Sequence, residues 1–273
     1  MNNKIYCSTG TIIGHENNFD WNLIIENKNN IAANGFELMM LKVYYTQFRE
    51  MEKVFAANDM TFPVLHSDKD IGTLLSHADK ESTTEAFRMY DLNCEFGANI
   101  GAEKVVVHLW GGGDSDKNIE HNINMCEKIL EISQKYKITL LIENIPCWLK
   151  DPLTYWDILE QRYPELRFIV DTRFLGFHSQ TEEIFTSNWF DKGKIIHTHV
   201  SDFNGPPRDF SSLRPILHPH EGIIDMDTLL AGITDIYDGS ITLESPVIHA
   251  DGSLDINKLN NTLNYMKKVS NRT

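Results

Sequence analysis

Histidine, aspartate and glutamate recur at the ends of short apolar runs in this sequence. Six of about eight such runs carry one, namely His66, His108, Glu143, Asp171, His199 and Glu244. A carboxylate ending a buried run is costly unless a cation or hydrogen-bond donor faces it. Three carboxylates and one imidazole, from Glu143, Asp171, His199 and Glu244, suit Mn²⁺, Zn²⁺, Mg²⁺ or Co²⁺. For any single residue, a salt bridge or a satisfied core histidine is an equal alternative, but the agreement of positions favours a metal site.

The runs that deliver these residues alternate with longer amphipathic segments. Candidate strands are 4–9, 35–41, 61–66, 104–109, 138–144, 167–172, 194–200 and 240–245. Each is short, apolar and bounded by polar or turn residues, which is typical of parallel strands buried on both faces. Strand and helix units that alternate in this way over 273 residues predict an α/β fold, namely a single (β/α)8 TIM barrel domain over 1–273. A doubly wound open sheet is the main alternative. The site would lie at the carboxyl ends of the strands.

Composition narrows the class of protein. The net charge of −14 repels phosphate backbones, so we expect no nucleic-acid partner. The four cysteines form no CxxC pair, and no apolar run approaches the ~18 residues that cross a bilayer. The first residues show no signal pattern. We therefore expect a cytoplasmic protein that does not enter membranes.

Several motifs resemble those of xylose isomerase-like TIM barrels, a superfamily of sugar and sugar-phosphate isomerases and epimerases that includes endonuclease IV. The motifs are "LLIEN", "IVDT", "HTHVSD", "PHEGIID" and "ITLES". The resemblance implies that Glu143, Asp171, His199 and Glu244 are ligands of one divalent metal ion. It also implies that Glu143 and Glu244 move protons through an enediolate while the metal polarises the substrate oxygens.

The nuclease branch of this superfamily holds three zinc ions. His66 and His108 match the histidines that, with Glu143, hold a second metal, so that site is left open. The third site is not expected, because Phe174 stands where a histidine is needed and Arg208-Asp209-Phe210 replaces an Asp-x-His triplet. The nuclease is therefore the least favoured activity.

Six residues are candidates for substrate binding. Trp110 and Trp148 follow strands four and five, where they would stack on a sugar, with core packing as the alternative. Arg173 and His178 would compensate for the histidine missing at Phe174. His220 occupies a glycine position of the family turn, and Glu37 faces the pocket in relatives. The full set of candidates is Trp110, Trp148, Arg173, His178, His220 and Glu37. Loop surface is the alternative for the two histidines.

We rank three candidate functions, from the most to the least favoured. The first is a metal-dependent isomerase or epimerase of a sugar, keto-sugar or sugar phosphate, with a small carbohydrate as substrate and a homo-oligomer left open. The second is a metal-dependent lyase, dehydratase or dinuclear hydrolase, which two metal ions per chain would favour over one. The third is a binding protein without activity, which failure to bind any divalent ion would favour.

Overall fold

The computed structural model describes residues 3–271, in which eight parallel strands form a closed barrel in chain order. The strands are β1 (Ile5–Ser8), β2 (Gly35–Met39), β3 (Val64–His66), β4 (Lys104–Val107), β5 (Thr139–Glu143), β6 (Arg167–Asp171), β7 (Ile195–Val200) and β8 (Ser240–Leu243). The (β/α)8 prediction is confirmed, and the open-sheet alternative is wrong. Pro63 lies just before β3, so it removes no hydrogen bond from the strand.

Ten α-helices lie between and after the strands in the described residues. They are α1 (Asn22–Asn27), α2 (Phe48–Ala57), α3 (Asp70–Ser76), α4 (Lys80–Asn99), α5 (Ile119–Lys135), α6 (Pro152–Arg162), α7 (Thr172–His178), α8 (Glu183–Thr186), α9 (Met226–Ile236) and α10 (Ile256–Ser270). Aspartates cap many of them. Asp79 accepts a hydrogen bond from the Ser82 amide and so caps the start of α4. Asp151 caps α6 in the same way, with Pro152 in the first turn.

Two compact units can be distinguished along the chain. One comprises residues up to 38 and from 170 onwards, and the other comprises residues 39–169. In the second, β4 and β5 pair in register from Lys104 opposite Thr139 to Val107 opposite Ile142. In the first, β7 and β8 pair from His197 opposite Ser240 to Val200 opposite Leu243. The extent of one domain over 1–273 stays a prediction, and its first and last two residues lie outside the described part.

None of the helices within residues 3–271 combines the length and the apolar character that crossing a bilayer requires.

Candidate metal centre

The predicted ligands stand at the carboxyl ends of their strands. Glu143 is the last residue of β5 and Asp171 the last of β6, while His199 is the penultimate residue of β7 and Glu244 directly follows β8. All four side chains are buried. Parallel strands therefore deliver every predicted ligand to the edge where barrel sites form.

Buried groups that could hold a metal ion occur among the described residues. Each has ligand atoms within 4.8 Å of one another, and they are Glu143 with Asp171, His199 and Glu244; His66 with Glu143 and His199; and Glu37 with His197 and His199. The first group is the predicted ligand set. Its three carboxylates and one imidazole are donors that Mn²⁺, Zn²⁺, Mg²⁺ and Co²⁺ accept.

His199 has a different neighbour at each ring nitrogen. Its Nε2 lies 2.8 Å from Oε1 of Glu37, and its Nδ1 lies 3.4 Å from Oε1 of Glu244. The Glu244 oxygen is buried and makes no hydrogen bond with any described residue. A buried carboxylate oxygen in that condition is costly, and a cation beside it would offset the cost. Glu244 and His199 therefore fit a divalent metal.

Glu37 is fully buried and has two histidine partners. Its Oε2 lies 2.8 Å from Nε2 of His197, and its Oε1 has the same distance to Nε2 of His199. Burial raises the pKa of Glu37, but His199 and His197 outweigh burial and hold the pKa well below its usual range. Because both oxygens are engaged by histidines of β7, this geometry does not favour the predicted role of Glu37 as a substrate contact.

Asp171 serves two local purposes. As the N-cap of α7, its Oδ1 accepts hydrogen bonds from the amides of Arg173 at 2.7 Å and Phe174 at 3.2 Å. Its Oδ2 lies 4.0 Å from the Arg173 guanidinium. An aspartate that ends a strand and caps the next helix is held in one orientation, which suits a ligand.

Glu143 meets two histidines in the unit of residues 39–169. Nε2 of His108 lies 2.7 Å and Nε2 of His66 lies 3.5 Å from the same carboxylate oxygen, Oε2. Nδ1 of His66 lies 2.8 Å from the Ser67 carbonyl, which only accepts, so Nδ1 carries a proton. Burial lowers the pKa of His108 to about 4, against the opposing pull of Glu143. His108 is therefore neutral at pH 7, as a metal ligand must be.

A family model described as xylose isomerase-like TIM barrel matches residues 29–268. This chain belongs to that family. Similar solved structures include a D-tagatose 3-epimerase-like protein (19% identity, TM-score 0.68, 98% of each chain covered) and the 3-keto-D-glucoside 4-epimerase of E. coli (13%, 0.69, 98% and 100%). Another is the D-allulose 3-epimerase of Methylomonas sp. in complex with D-allulose (11%, 0.71, 98% and 97%). At these identities the structures show the fold alone. No curated protein sequence matches the chain.

The two tryptophans of this xylose isomerase-like barrel differ in exposure. Trp110 is fully buried, donates its indole N–H to the Ile145 carbonyl at 3.2 Å and packs edge-on against Tyr155. This geometry favours core packing, the alternative to the predicted stacking of Trp110 on a sugar. Trp148 is 45% exposed in the segment that follows β5.

Arg173 and His178, both on α7, lie at different distances along the helix from Asp171. Arg173 is buried beside Asp171, donates to the Leu213 carbonyl at 2.9 Å and stacks over the Phe174 ring. His178 ends α7, which carries it about 10 Å along the helix axis from Asp171. Arg173 therefore lies nearer to Asp171 than His178 does, and the predicted compensation for Phe174 by either residue stays a prediction.

His220 does occupy a glycine-like position, with φ of 73°. Its ring packs against Tyr265 of α10, and its Nε2 lies 3.9 Å from Asp227 of α9. Both neighbours belong to helices, and the side chain is half exposed. Loop surface, the alternative to the predicted substrate contact, is the better description of His220.

Two buried aspartates organise loops of this barrel and were not among the predicted site residues. Asp116 accepts hydrogen bonds from the amides of Trp148, Leu149 and Lys150 and from the Tyr155 hydroxyl. It fixes the segment that presents Trp148. The only sequence signal is an acidic residue after three glycines, which is typical of exposed loops.

Asp202 has the same function in the segment after β7. Its carboxylate accepts from the amides of Phe203, His220, Gly222 and Ile224. Gly222 is required there, because a Cβ would lie 2.3 Å from the Phe203 carbonyl oxygen. The family motif containing Asp202 marked its position without indicating this role.

Proposed function

We propose that the protein is a divalent-metal-dependent isomerase or epimerase of a sugar, keto-sugar or sugar phosphate. Glu143, Asp171, His199 and Glu244 would hold the metal. The observation that carries the proposal is this buried set, whose ligand atoms lie within 4.8 Å of one another. The unsatisfied oxygen of Glu244, facing Nδ1 of His199, supports a cation at that point.

Glu143 and Glu244 would be the proton-transfer pair. When bound, the metal would lower the cost of negative charge on the substrate oxygens. One glutamate would take a proton from the carbon beside the carbonyl, and the other would return a proton to the opposite face or the neighbouring carbon. Asp171, fixed by the α7 amides, would hold the metal without moving protons.

The substrate is proposed to be a small carbohydrate with a carbonyl group. The names of the similar structures, which are epimerases of tagatose, allulose and a keto-glucoside, support a ketose as the first substrate to test. Trp148 would stack on the sugar face, and Arg173 would hold a hydroxyl or phosphate oxygen. The choice among Mn²⁺, Zn²⁺, Mg²⁺ and Co²⁺, a cytoplasmic location and a homo-oligomer stay predictions.

A lyase, dehydratase or dinuclear hydrolase is the second candidate. It is favoured by His66 and His108, which both approach Oε2 of Glu143 and would complete a second metal site. The abasic-site nuclease stays least favoured. Phe174 is stacked by Arg173, and Asp209 caps the short turn at Phe210–Leu213. Two ions per chain by elemental analysis would favour the hydrolase, whereas one would favour the epimerase.

The test of the proposed function is deuterium exchange at the carbon beside the carbonyl. D-Tagatose, D-allulose and D-fructose are incubated in D2O with Mn²⁺-loaded protein and followed by NMR. We expect exchange and epimer formation in the wild type and a loss of about 10³-fold in Glu143→Gln and Glu244→Gln. A Tyr90→Phe variant serves as the control, because it removes one hydroxyl at a position distant in sequence from both glutamates. Full turnover in both glutamine variants would rule out the proton-transfer pair.

A further inference from the structure

Glu37 on β2 is a buried carboxylate that lies beside the proposed metal ligand His199. It is not one of the four proposed ligands. Its two oxygens face different histidines of β7, Oε2 toward Nε2 of His197 and Oε1 toward Nε2 of His199, each at 2.8 Å. An ionised carboxylate only accepts hydrogen bonds. Each of these two ring nitrogens therefore carries the proton that it donates to Glu37.

His197 is fully engaged by this arrangement. With its proton on Nε2, its Nδ1 is an acceptor, and the Ser240 hydroxyl lies 2.7 Å away to donate to it. The Thr242 hydroxyl lies 3.1 Å from Nε2 of the same ring. Both hydroxyls belong to β8, which pairs with β7. His197 is thus anchored to the barrel wall, and it holds Oε2 of Glu37 in place.

His199 differs from His197 at the second ring nitrogen. An imidazole that binds a metal is neutral, so a His199 ring that donates from Nε2 to Glu37 would have its lone pair on Nδ1. Nδ1 lies 3.4 Å from Oε1 of Glu244. Two acceptors cannot hydrogen-bond to each other, but both can bind one cation. The orientation of the ring thus makes Nδ1 the nitrogen that would bind a metal.

We propose that Glu37 is a positioning residue that fixes His199 in the Nε2-protonated tautomer and so directs Nδ1 to the metal. His197 contributes by holding the other oxygen of Glu37. A carboxylate that accepts the remote N–H of a histidine ligand fixes its tautomer and raises its basicity. This inference rests on the proposed metal site, and it adds a residue that touches neither metal nor substrate.

The tautomer can be measured directly in the wild-type protein. Long-range ¹H–¹⁵N NMR of ¹⁵N-histidine-labelled protein, assigned with a His199→Gln variant, is recorded without metal and with Zn²⁺ or Mg²⁺. We expect a proton on Nε2 of His199 in both states, and a shift of the Nδ1 resonance when metal is added. A proton on Nδ1, or a metal-induced shift at Nε2 instead, would overturn the proposal. This measurement needs no substitution at Glu37.

Metal affinity supplies the second test. Mn²⁺ titration, followed by electron paramagnetic resonance, is compared between wild type, Glu37→Ala and Glu37→Gln. We expect a loss of about 10- to 100-fold in Glu37→Ala and a smaller loss in Glu37→Gln, whose amide oxygen can still accept from His199. Tyr90→Phe, which removes a buried hydrogen bond to Ser133 far from His199 along the chain, should stay within about threefold of the wild type.

The outcomes separate the inference from the proposed function. If the wild type binds no divalent metal, the proposed function fails. If the wild type binds Mn²⁺ and a folded Glu37→Ala binds it equally well, the positioning role alone fails. If Glu37→Ala does not fold, the Glu37→Gln affinity and the wild-type tautomer decide the question.

Discussion

Glu37 and Glu143 are both buried glutamates on barrel strands, and each meets two histidines. Glu37 divides its partners, with His197 at one oxygen and His199 at the other, both at 2.8 Å. Glu143 receives His108 and His66 at a single oxygen, at 2.7 and 3.5 Å. The first arrangement is a set of ordinary hydrogen bonds, whereas the second is the convergence expected around a cation. The same residue types thus take two arrangements, with the histidines at separate oxygens of Glu37 and at one shared oxygen of Glu143.

The largest expected effect that separates the two glutamates is on stability without metal. Glu37→Ala should lower the free energy of unfolding by about 3 kcal/mol, because it leaves two buried histidines without their acceptor. Glu143→Ala should cost less than about 1 kcal/mol, because removing one of several gathered carboxylates relieves their repulsion. Urea unfolding of EDTA-treated proteins measures both values. A greater cost for Glu143→Ala would remove the distinction between the two sites.

The strands were predictable because strands buried on both faces of a parallel sheet read as continuous apolar runs. The ends of those strands then placed Glu143, Asp171, His199 and Glu244, since the barrel gathers strand ends at one edge. The fold and the proposed ligand set therefore followed from local patterns in the sequence and from the family motifs.

The role of Glu37 did not follow from the sequence, because its partner His199 is 162 residues away and no local pattern reports that contact. The directions of the Trp110 and His220 side chains did not follow from the sequence for a related reason. Position after a strand does not determine whether a side chain turns inward, as Trp110 does, or toward helices, as His220 does. Those directions depend on packing between elements that are distant in sequence.

A smaller effect on stability is expected from binding of the metal ion itself. At a free concentration 100 times its dissociation constant, Mn²⁺ should stabilise the folded protein by about 2.7 kcal/mol, since the unfolded chain lacks the assembled site. Calorimetric unfolding with and without Mn²⁺ measures this gain. Glu244→Gln, which alters one ligand, should lose most of the gain. Equal unfolding temperatures with and without Mn²⁺ would contradict the metal site.

The smallest expected effect, taken per pH unit, concerns the histidine beside Glu143. Burial holds the pKa of His108 at about 4, below the ~6.5 of an unfolded histidine. Between these pH values the unfolded chain binds one more proton than the folded chain. The contribution of His108 to the free energy of unfolding therefore rises with pH. It is complete above about pH 6.5 and lost near pH 4, with a slope of up to ~1.4 kcal/mol per pH unit.

His108→Asn should therefore flatten the pH dependence of unfolding in metal-free protein. Urea titrations at intervals from pH 4.5 to 6.5 compare the variant with the wild type, and other groups contribute equally to both. Identical slopes would mean that the pKa of His108 is the same in the folded and unfolded chains, so that burial does not lower it.

The central claim, a metal held by Glu143, Asp171, His199 and Glu244, is tested most directly by anomalous diffraction from a crystal containing Mn²⁺. We predict an anomalous peak bound by three carboxylates and by Nδ1 of His199, at about 2.0 to 2.3 Å, with Nε2 still donating to Glu37. A peak at other residues, ligation through Nε2 of His199, or the absence of any peak at saturating Mn²⁺ would contradict the account.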